Sequence, residues 1–244
     1  MEGVLHNWAS WLPRLVEGAE ITVIATILTM AMGSALGLVI ALIRIAHIPI
    51  VHQLIIVYVE IFRGLPTIVI LFLAYFGLPS MGINLSSDPV VVGIIGLSVN
   101  LSAYLSEVFR AAISAIDPGQ MEAALSIGMS HIQSYARIVL PQALLVAVPS
   151  LGSFFIGLLK DTSLLSFISV TELMKTGNDI VATTFLAFQV YILVGIVYVI
   201  LSLVSSRLVL WIEHRLRPLE QALDHQEAVM RAKLPPDVII KRAS

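Results

Sequence analysis

Five stretches of this chain are long and apolar enough to cross a lipid bilayer: Ile21–Ile43, Leu54–Leu78, Val90–Ile113, Ala143–Leu159 and Phe185–Trp211. A spanning helix needs about 20 predominantly apolar residues. Hydrocarbon offers no water to backbone N–H and C=O groups, so only helices and closed barrels can cross it. These runs are continuous rather than alternating, which predicts an all-α integral membrane protein. The charge content agrees: 12% of residues are charged, against roughly 25% in soluble domains. The first run has no basic segment before it and exceeds the roughly 7–15 residues of a signal-peptide core. It is expected to persist as an anchor.

Other features narrow the function. The chain has no cysteine, which excludes disulfides, thiolate metal sites and a cysteine nucleophile. There is no basic stripe of the kind that binds nucleic acid, and the formal net charge is -2. His47, His52 and His131 are scattered without metal-ligand spacing. A membrane-embedded hydrolase would need a convergent Ser/His, paired-Asp or H-E-x-x-H set, and none is present. Leu164–Met174 is apolar but too short to span, so it reads as a half-inserted helix. Gly177-Asn178-Asp179 reads as a loop signal. Gly33 and Gly37 either use the small-xxx-small spacing that lets helix backbones approach closely or share it by chance in a Gly- and Ala-rich helix.

Lys and Arg placement predicts the orientation. With five spans and the N-terminus outside, the inner side receives Arg44, Arg63, Arg110, Arg137, Arg207, Arg215, Arg217, Arg231, Lys233, Lys241 and Arg242. The outer side receives Arg14 and Lys175. This follows the positive-inside rule. The predicted organisation is a transmembrane domain over residues 1–211 and a cytoplasmic tail over 212–244, with Pro235-Pro236 in the tail.

Gly119 to Arg137 is too polar to cross the bilayer and too well patterned for a plain linker. Glu122-Ala123-Ala124-Leu125 favours helix and Gly128 breaks it. Pro141 can begin the next span, because a proline is tolerated in a helix's first turn. The expected result is a helix–bend–helix on the cytoplasmic face, suited to docking another protein.

The pattern Glu122-Ala123-Ala124, three residues, Gly128, nine residues, Ile138, one residue, Leu140-Pro141 resembles the EAA loop of ABC importer permeases. The stretches Tyr58–Pro79 (YVEIFRGLPTIVILFLAYFGLP), Ala103–Ala124 (AYLSEVFRAAISAIDPGQMEAA) and Leu158–Leu173 (LLKDTSLLSFISVTEL) are similar to the polar amino-acid branch of that family. Ala111–Met129 is closest in wording to cystine permeases. The resemblance implies the type I importer permease fold and a five-span multi-pass subunit of a bacterial inner membrane. It also implies a coupling role for Glu122, Ala123, Ala124 and Gly128 against a cytoplasmic ATPase. Further implied partners are an extracytoplasmic amino-acid-binding protein and a second permease chain, identical or different. The chain has no G-x-x-x-x-G-K-[ST] phosphate loop, so ATP and Mg are expected in the partner and no catalytic residue or metal in this chain. The sequence departs from the branch at Val148-Pro149, Ser153 and Ala111-Ala112. Many members have Pro-Pro, then an Asn, and paired glycines at these places, so Ser153 bears on which amino acid passes.

Lys160-Asp161-Thr162-Ser163 is the most informative intramembrane cluster. Ionisable groups at membrane depth usually face a cavity. An amino acid needs an acceptor for its ammonium and donors for its carboxylate; Asp161 can supply the first, and Thr162, Ser163 and free helix-start N–H groups the second. The competing reading is a Lys160–Asp161 pair that stabilises a helix end. Asn100, with Ser98 and Ser102, either lines the same cavity or bonds to a neighbouring helix. Glu60/Arg63 and Glu107/Arg110 have the i,i+3 spacing of helical ion pairs and read as structural or gating elements. An ion-driven secondary carrier is the alternative function. Such carriers normally show a doubled repeat and more intramembrane carboxylates.

Overall fold

The computed structural model describes residues 2–46 and 48–232, with side chains described for 8–46 and 48–216. His47, Lys233, Pro235-Pro236, Lys241 and Arg242 lie outside the described residues, as do the side chains of Arg217 and Arg231.

The described residues are helical apart from short connections. In chain order the helices are α1 (Glu2–Ile45), α2 (Pro49–Gly64), α3 (Thr67–Phe72), α4 (Leu78–Ser80), α5 (Pro89–Ser114), α6 (Pro118–Ser126), α7 (His131–Ser134), α8 (Leu140–Asp161), α9 (Leu173–Thr184) and α10 (Ala187–Ala232). A π-helical turn over Leu73–Gly77 joins α3 to α4, a second over Tyr135–Val139 joins α7 to α8, and a 3-10 helix over Thr162–Ile168 follows α8. By length and composition, Trp8–Ile45, Pro89–Ser114, His131–Ile168 and Ala187–Leu216 can each cross a membrane. A fifth crossing is the bent pair Pro49–Gly64 and Thr67–Ser80.

The second predicted span is therefore not one continuous helix. It turns by 106° between Gly64 and Thr67, where Pro66 has no N–H to donate to the carbonyl one turn earlier. Both π-turns also end two residues before a proline, Pro79 and Pro141. A proline ring clashes with the carbonyl four residues back, and a wider turn accommodates it. Pro141 accordingly sits within a helical run that already began at His131, instead of starting the span.

Leu164–Met174 is likewise not a single helix. Its first part extends α8 as the 3-10 segment, which ends at Ser169 in the left-handed region (φ 68°). Gly177-Asn178-Asp179 lies inside α9. Packing explains why: a Cβ on Gly177 would sit 2.7 Å from Val194 Cγ2, so this glycine lets α9 approach α10. Gly33 and Gly37 do press α1 onto α5, as their spacing allows. Their added Cβ atoms would meet Leu101 Cδ2 at 2.9 Å and Ser102 O at 3.1 Å.

The chain divides into two compact units: residues 1–110 with 150–206, and residues 111–149 with 207–244. In the first, Trp11, Leu15, Ala19, Leu173, Ile180, Val190, Leu193 and Val194 form one buried cluster where α1, α9 and α10 meet. Glu172 sits beside it with no exposed surface. Its Oε1 accepts from the N–H of Lys175 at 2.7 Å, and its Oε2 from the N–H of Met174 at 2.8 Å and the hydroxyl of Tyr198 at 3.0 Å. Burial pushes its carboxyl above the ordinary value, opposed by these hydrogen bonds.

Backbone contact at Gly18 completes this packing, since a Cβ there would lie 3.0 Å from Leu173 Cα and 3.1 Å from Glu172 C. Backbone cannot yield as a flexible side chain can. Gly18→Ala should therefore lower the thermal stability of the detergent-solubilised protein by about 1–3 kcal/mol, the usual cost of overpacking. Gly195→Ala, where nothing lies within 4 Å of the added Cβ, should leave the melting temperature unchanged or raise it slightly.

Candidate functional site

In the first unit, α3, α5 and α8 line an open cavity of about 390 Å³. Its lining is Thr67 from α3; Leu97, Asn100, Leu101 and Tyr104 from α5; and Ser153, Phe154, Gly157, Leu158 and Asp161 from α8. The α5 residues recur at i, i+3, i+4 and i+7, and the α8 residues at i, i+1, i+4, i+5 and i+8, so each set occupies one helix face. A Cβ on Gly157 would meet nothing within 4 Å, so its absence leaves the middle of the α8 face open. Asp161 is the single charged side chain in the lining, and no cationic side chain lines the cavity.

The bend in the second span builds one wall. Pro66 cannot satisfy the carbonyl of Phe62, and Asn100 Nδ2 donates to that oxygen at 2.7 Å instead. Thr67 Oγ1 donates to Asn100 Oδ1 at 3.2 Å, and the Tyr104 hydroxyl donates to the carbonyl of Arg63 at 3.2 Å. Asn100 and Tyr104, one turn apart on α5, thus stitch the open end of α2 while facing the cavity.

The structure brings Asn100, Ser153 and Asp161 together and leaves Lys160, Thr162 and Ser163 out of the lining. Thr162 is fully buried and donates to the carbonyl of Leu159 at 2.8 Å. Lys160 and Asp161 are both exposed in the single chain, and no ion pair joins them among the described residues. Ser98 and Ser102 take the other expected course: Ser102 Oγ lies 2.7 Å from the Tyr58 hydroxyl, and Ser98 Oγ lies 3.5 Å from the carbonyl of Thr29.

The predicted Glu107–Arg110 pair forms at 2.8 Å, and Arg44 joins it from α1. Glu60 and Arg63 do not pair. The Arg63 guanidinium instead lies 5.6 Å from the centroid of the Tyr104 ring, within the range of a cation–π contact. Thr67 and Tyr104 are lining residues that the sequence reading missed. Their signals were present, in a threonine directly after Pro66 and a tyrosine one turn beyond Asn100.

The polar segment belongs to the second unit and folds as helix–bend–helix. Asp117 caps α6, accepting from the N–H of Gly119 at 2.7 Å. Gly128 turns the chain in the left-handed region at φ +87°, and its N–H donates to the carbonyl of Leu125 at 3.0 Å. The Met129 N–H donates to Ala124 at 3.1 Å, which closes the helix end. Ser130 and Gln133 then form a reciprocal capping box on α7. Glu122 and Ala123 are exposed and Ala124 is buried. Ile127 and Ile132 flank the bend at 80% and 83% exposure.

Residues 33–218 match the family of binding-protein-dependent transport system inner membrane components. The chain belongs to that family. It is 43% identical to the probable amino-acid permease YxeN of Bacillus subtilis, over 80% of this chain and 87% of that protein. The L-cystine transport system permease TcyL of Bacillus subtilis is 39% identical, over 77% and 81% respectively. The glutamine transport system permease GlnP of Escherichia coli is 34% identical, over 86% and 98%.

Among solved structures, an amino acid ABC transporter crystallised with histidines superposes with a TM-score of 0.78 at 34% identity, over 86% of this chain and 97% of that one. The MetNI methionine transporter shares the fold at a TM-score of 0.64 and 21% identity. This protein is thus a multi-pass, non-catalytic permease subunit of an amino-acid ABC importer with the type I permease fold. Family membership implies an ATPase and a binding protein as partners. None of the relatives named here supports the ion-driven carrier reading.

Asn100 has a structural duty that can be measured. Asn100→Ala leaves the Phe62 carbonyl and the Thr67 hydroxyl without their partner. Each unsatisfied group would cost about 1–3 kcal/mol if fully buried and less when partly buried as here, so the melting temperature of the purified variant should fall modestly.

Proposed function

We propose that the cavity between α3, α5 and α8 is where a polar amino acid is held during passage, with L-cystine the leading substrate. The observation that carries this reading is a lone carboxylate, Asp161, in a lining otherwise made of hydroxyl, amide, aromatic and aliphatic groups. A zwitterion's ammonium matches that carboxylate, while the polar residues Thr67, Asn100 and Ser153 line the same space. With Lys160, Thr162 and Ser163 outside the lining, the predicted set contracts to Asp161, Asn100 and Ser153, joined by Thr67 and Tyr104. Cystine is favoured by the wording of Ala111–Met129 and by the 39% identity to a permease named for L-cystine transport.

The remaining parts follow from the same reading. The Lys/Arg bias puts the N-terminus outside, with Ser114–Gln142 and the tail, 212–244, in the cytoplasm beyond a membrane domain of residues 1–211. Glu122, Ala123, Ala124 and Gly128 then present the helix–bend–helix to the ATPase, which binds ATP and Mg. A second permease chain completes the pathway.

Two substitutions test these assignments separately. Asp161→Asn keeps size and a carbonyl acceptor but removes the charge. Loss of one charge-assisted hydrogen bond costs about 1.5–3 kcal/mol, or roughly one to two powers of ten in affinity. Uptake of labelled amino acid into vesicles should fall accordingly while ATPase co-purification persists; normal uptake removes Asp161 from the pathway.

Gly128→Val forces a β-branched residue into the left-handed region, at a cost of about 1–2 kcal/mol or more. This variant should insert into the membrane normally yet lose ATPase co-purification and transport. Retention of both would remove the bend from the coupling surface.

A further inference from the structure

We propose that Glu172 is a positioning residue for the substrate cavity: by tying the start of α9 to α1 and α10, it fixes the 3-10 segment that follows Asp161. The inference rests on the reading of Asp161 as the ammonium acceptor.

Glu172 is the N-cap of α9, but a cap alone needs only a short polar side chain such as Ser, Thr, Asp or Asn. Here a full carboxylate is taken out of solvent, which is costly unless its oxygens are bonded. Beyond the two backbone N–H groups of α9, Oε2 accepts from Tyr198 of α10 at 3.0 Å. On the other side, Thr22 of α1 lies 3.5 Å from Oε2 and accepts from the N–H of Leu173 at 3.2 Å. The Glu172 side chain therefore bonds α9 to α10, and it lies beside the α1 hydroxyl that accepts from the next backbone N–H.

The segment between Asp161 and Glu172 carries that anchoring to the cavity. A 3-10 helix has poorer hydrogen-bond geometry than an α-helix, so its position depends on its ends and its packing. Leu165 and Ile168 are fully buried, and the segment packs on α1 and α9. It also packs on α3, where Phe167 meets Phe72 edge-on with ring centroids 6.5 Å apart. Leu165 reaches α5 as well, since a Cβ on Gly93 would lie 2.5 Å from Leu165 Cδ2. The same short helix thus touches the α1–α9 block, the helix that begins with Thr67, and the helix that carries Asn100. Its first residue directly follows Asp161.

Glu172→Asp and Tyr198→Phe separate this role from simple capping. Aspartate still caps α9, but its side chain is one methylene too short to hold Tyr198 as well. Tyr198→Phe deletes only the α10 bond and guards against a Glu172→Asp protein that fails to fold. Dissociation constants for radiolabelled L-cystine and L-glutamine are measured on the purified permease–ATPase complex, for each variant with and without Asp161→Asn.

Both single variants should weaken binding of whichever amino acid the wild-type complex takes up, by about tenfold for a sub-ångström misplacement. In the Asp161→Asn background their effect should be much smaller, because the main group they position is gone. Equal losses in both backgrounds, or a lowered melting temperature with unchanged affinity, would overturn the positioning role and leave Asp161 in place. Unchanged affinity for Asp161→Asn alone would overturn the site reading itself, and this inference with it.

Discussion

Pro66 has no N–H, and the consequences of that missing donor run through the substrate half of the molecule. A partly buried carbonyl left without a partner is costly, and at the bend Leu65–Pro66 another group reaches the Phe62 oxygen. Asn100 does so at 2.7 Å, and Tyr104 reaches the next carbonyl at 3.2 Å. Their presence on one face of α5 lets α3 leave α2 at 106°. The cavity opens where the second span turns aside. The polar side chains that seal the bend thereby become part of the lining, so the wall of the site and the repair of the backbone are the same residues.

The first unit also holds a closely packed region. The α1, α9 and α10 helices meet through glycines and through Glu172, with Gly18 against α9 and Gly177 against Val194. Without a hydrophobic driving force between helices in lipid, close van der Waals packing and interhelical hydrogen bonds hold them together. Gly18 and Gly177 permit the first, and the Glu172–Tyr198 bond supplies the second. The 3-10 segment Thr162–Ile168 links this block to α3, so a rigid region and an open one share a short connection.

Features governed by local chemistry were legible in the sequence. Gly128 at a helix end is a short-range signal that the sequence reading used and the structure realises, whereas Asp117 and the Ser130–Gln133 capping box are equally local signals that it passed over. Helix approach at Gly33 and Gly37 was suggested by their spacing, although the partner helix was not. Features decided by distant partners were not. The apolar run Leu54–Leu78 hid a bend that Pro66 announced, because length outweighed one proline. Gly177-Asn178-Asp179 resembled a loop until Val194 explained the glycine. The Glu60–Arg63 pair was read from spacing alone, whereas Arg63 settles over Tyr104. Glu172 drew no notice, since an acidic residue before Leu-Met-Lys looks like an ordinary cap until Thr22 and Tyr198 are seen beside it.

The central claim is that the cavity beside Asp161 holds the transported amino acid. The chain has no cysteine, so a single Ser153→Cys substitution places its one thiol in the lining, and labelling is read on the permease band alone. The rate of its alkylation by a small thiol reagent, in the importer reconstituted with its ATPase, reports occupancy of the cavity. The account predicts that a saturating concentration of the transported amino acid slows alkylation severalfold, and that this protection disappears when Asp161→Asn is added. The same alkylation rate with and without substrate, in a variant that still transports, would contradict it.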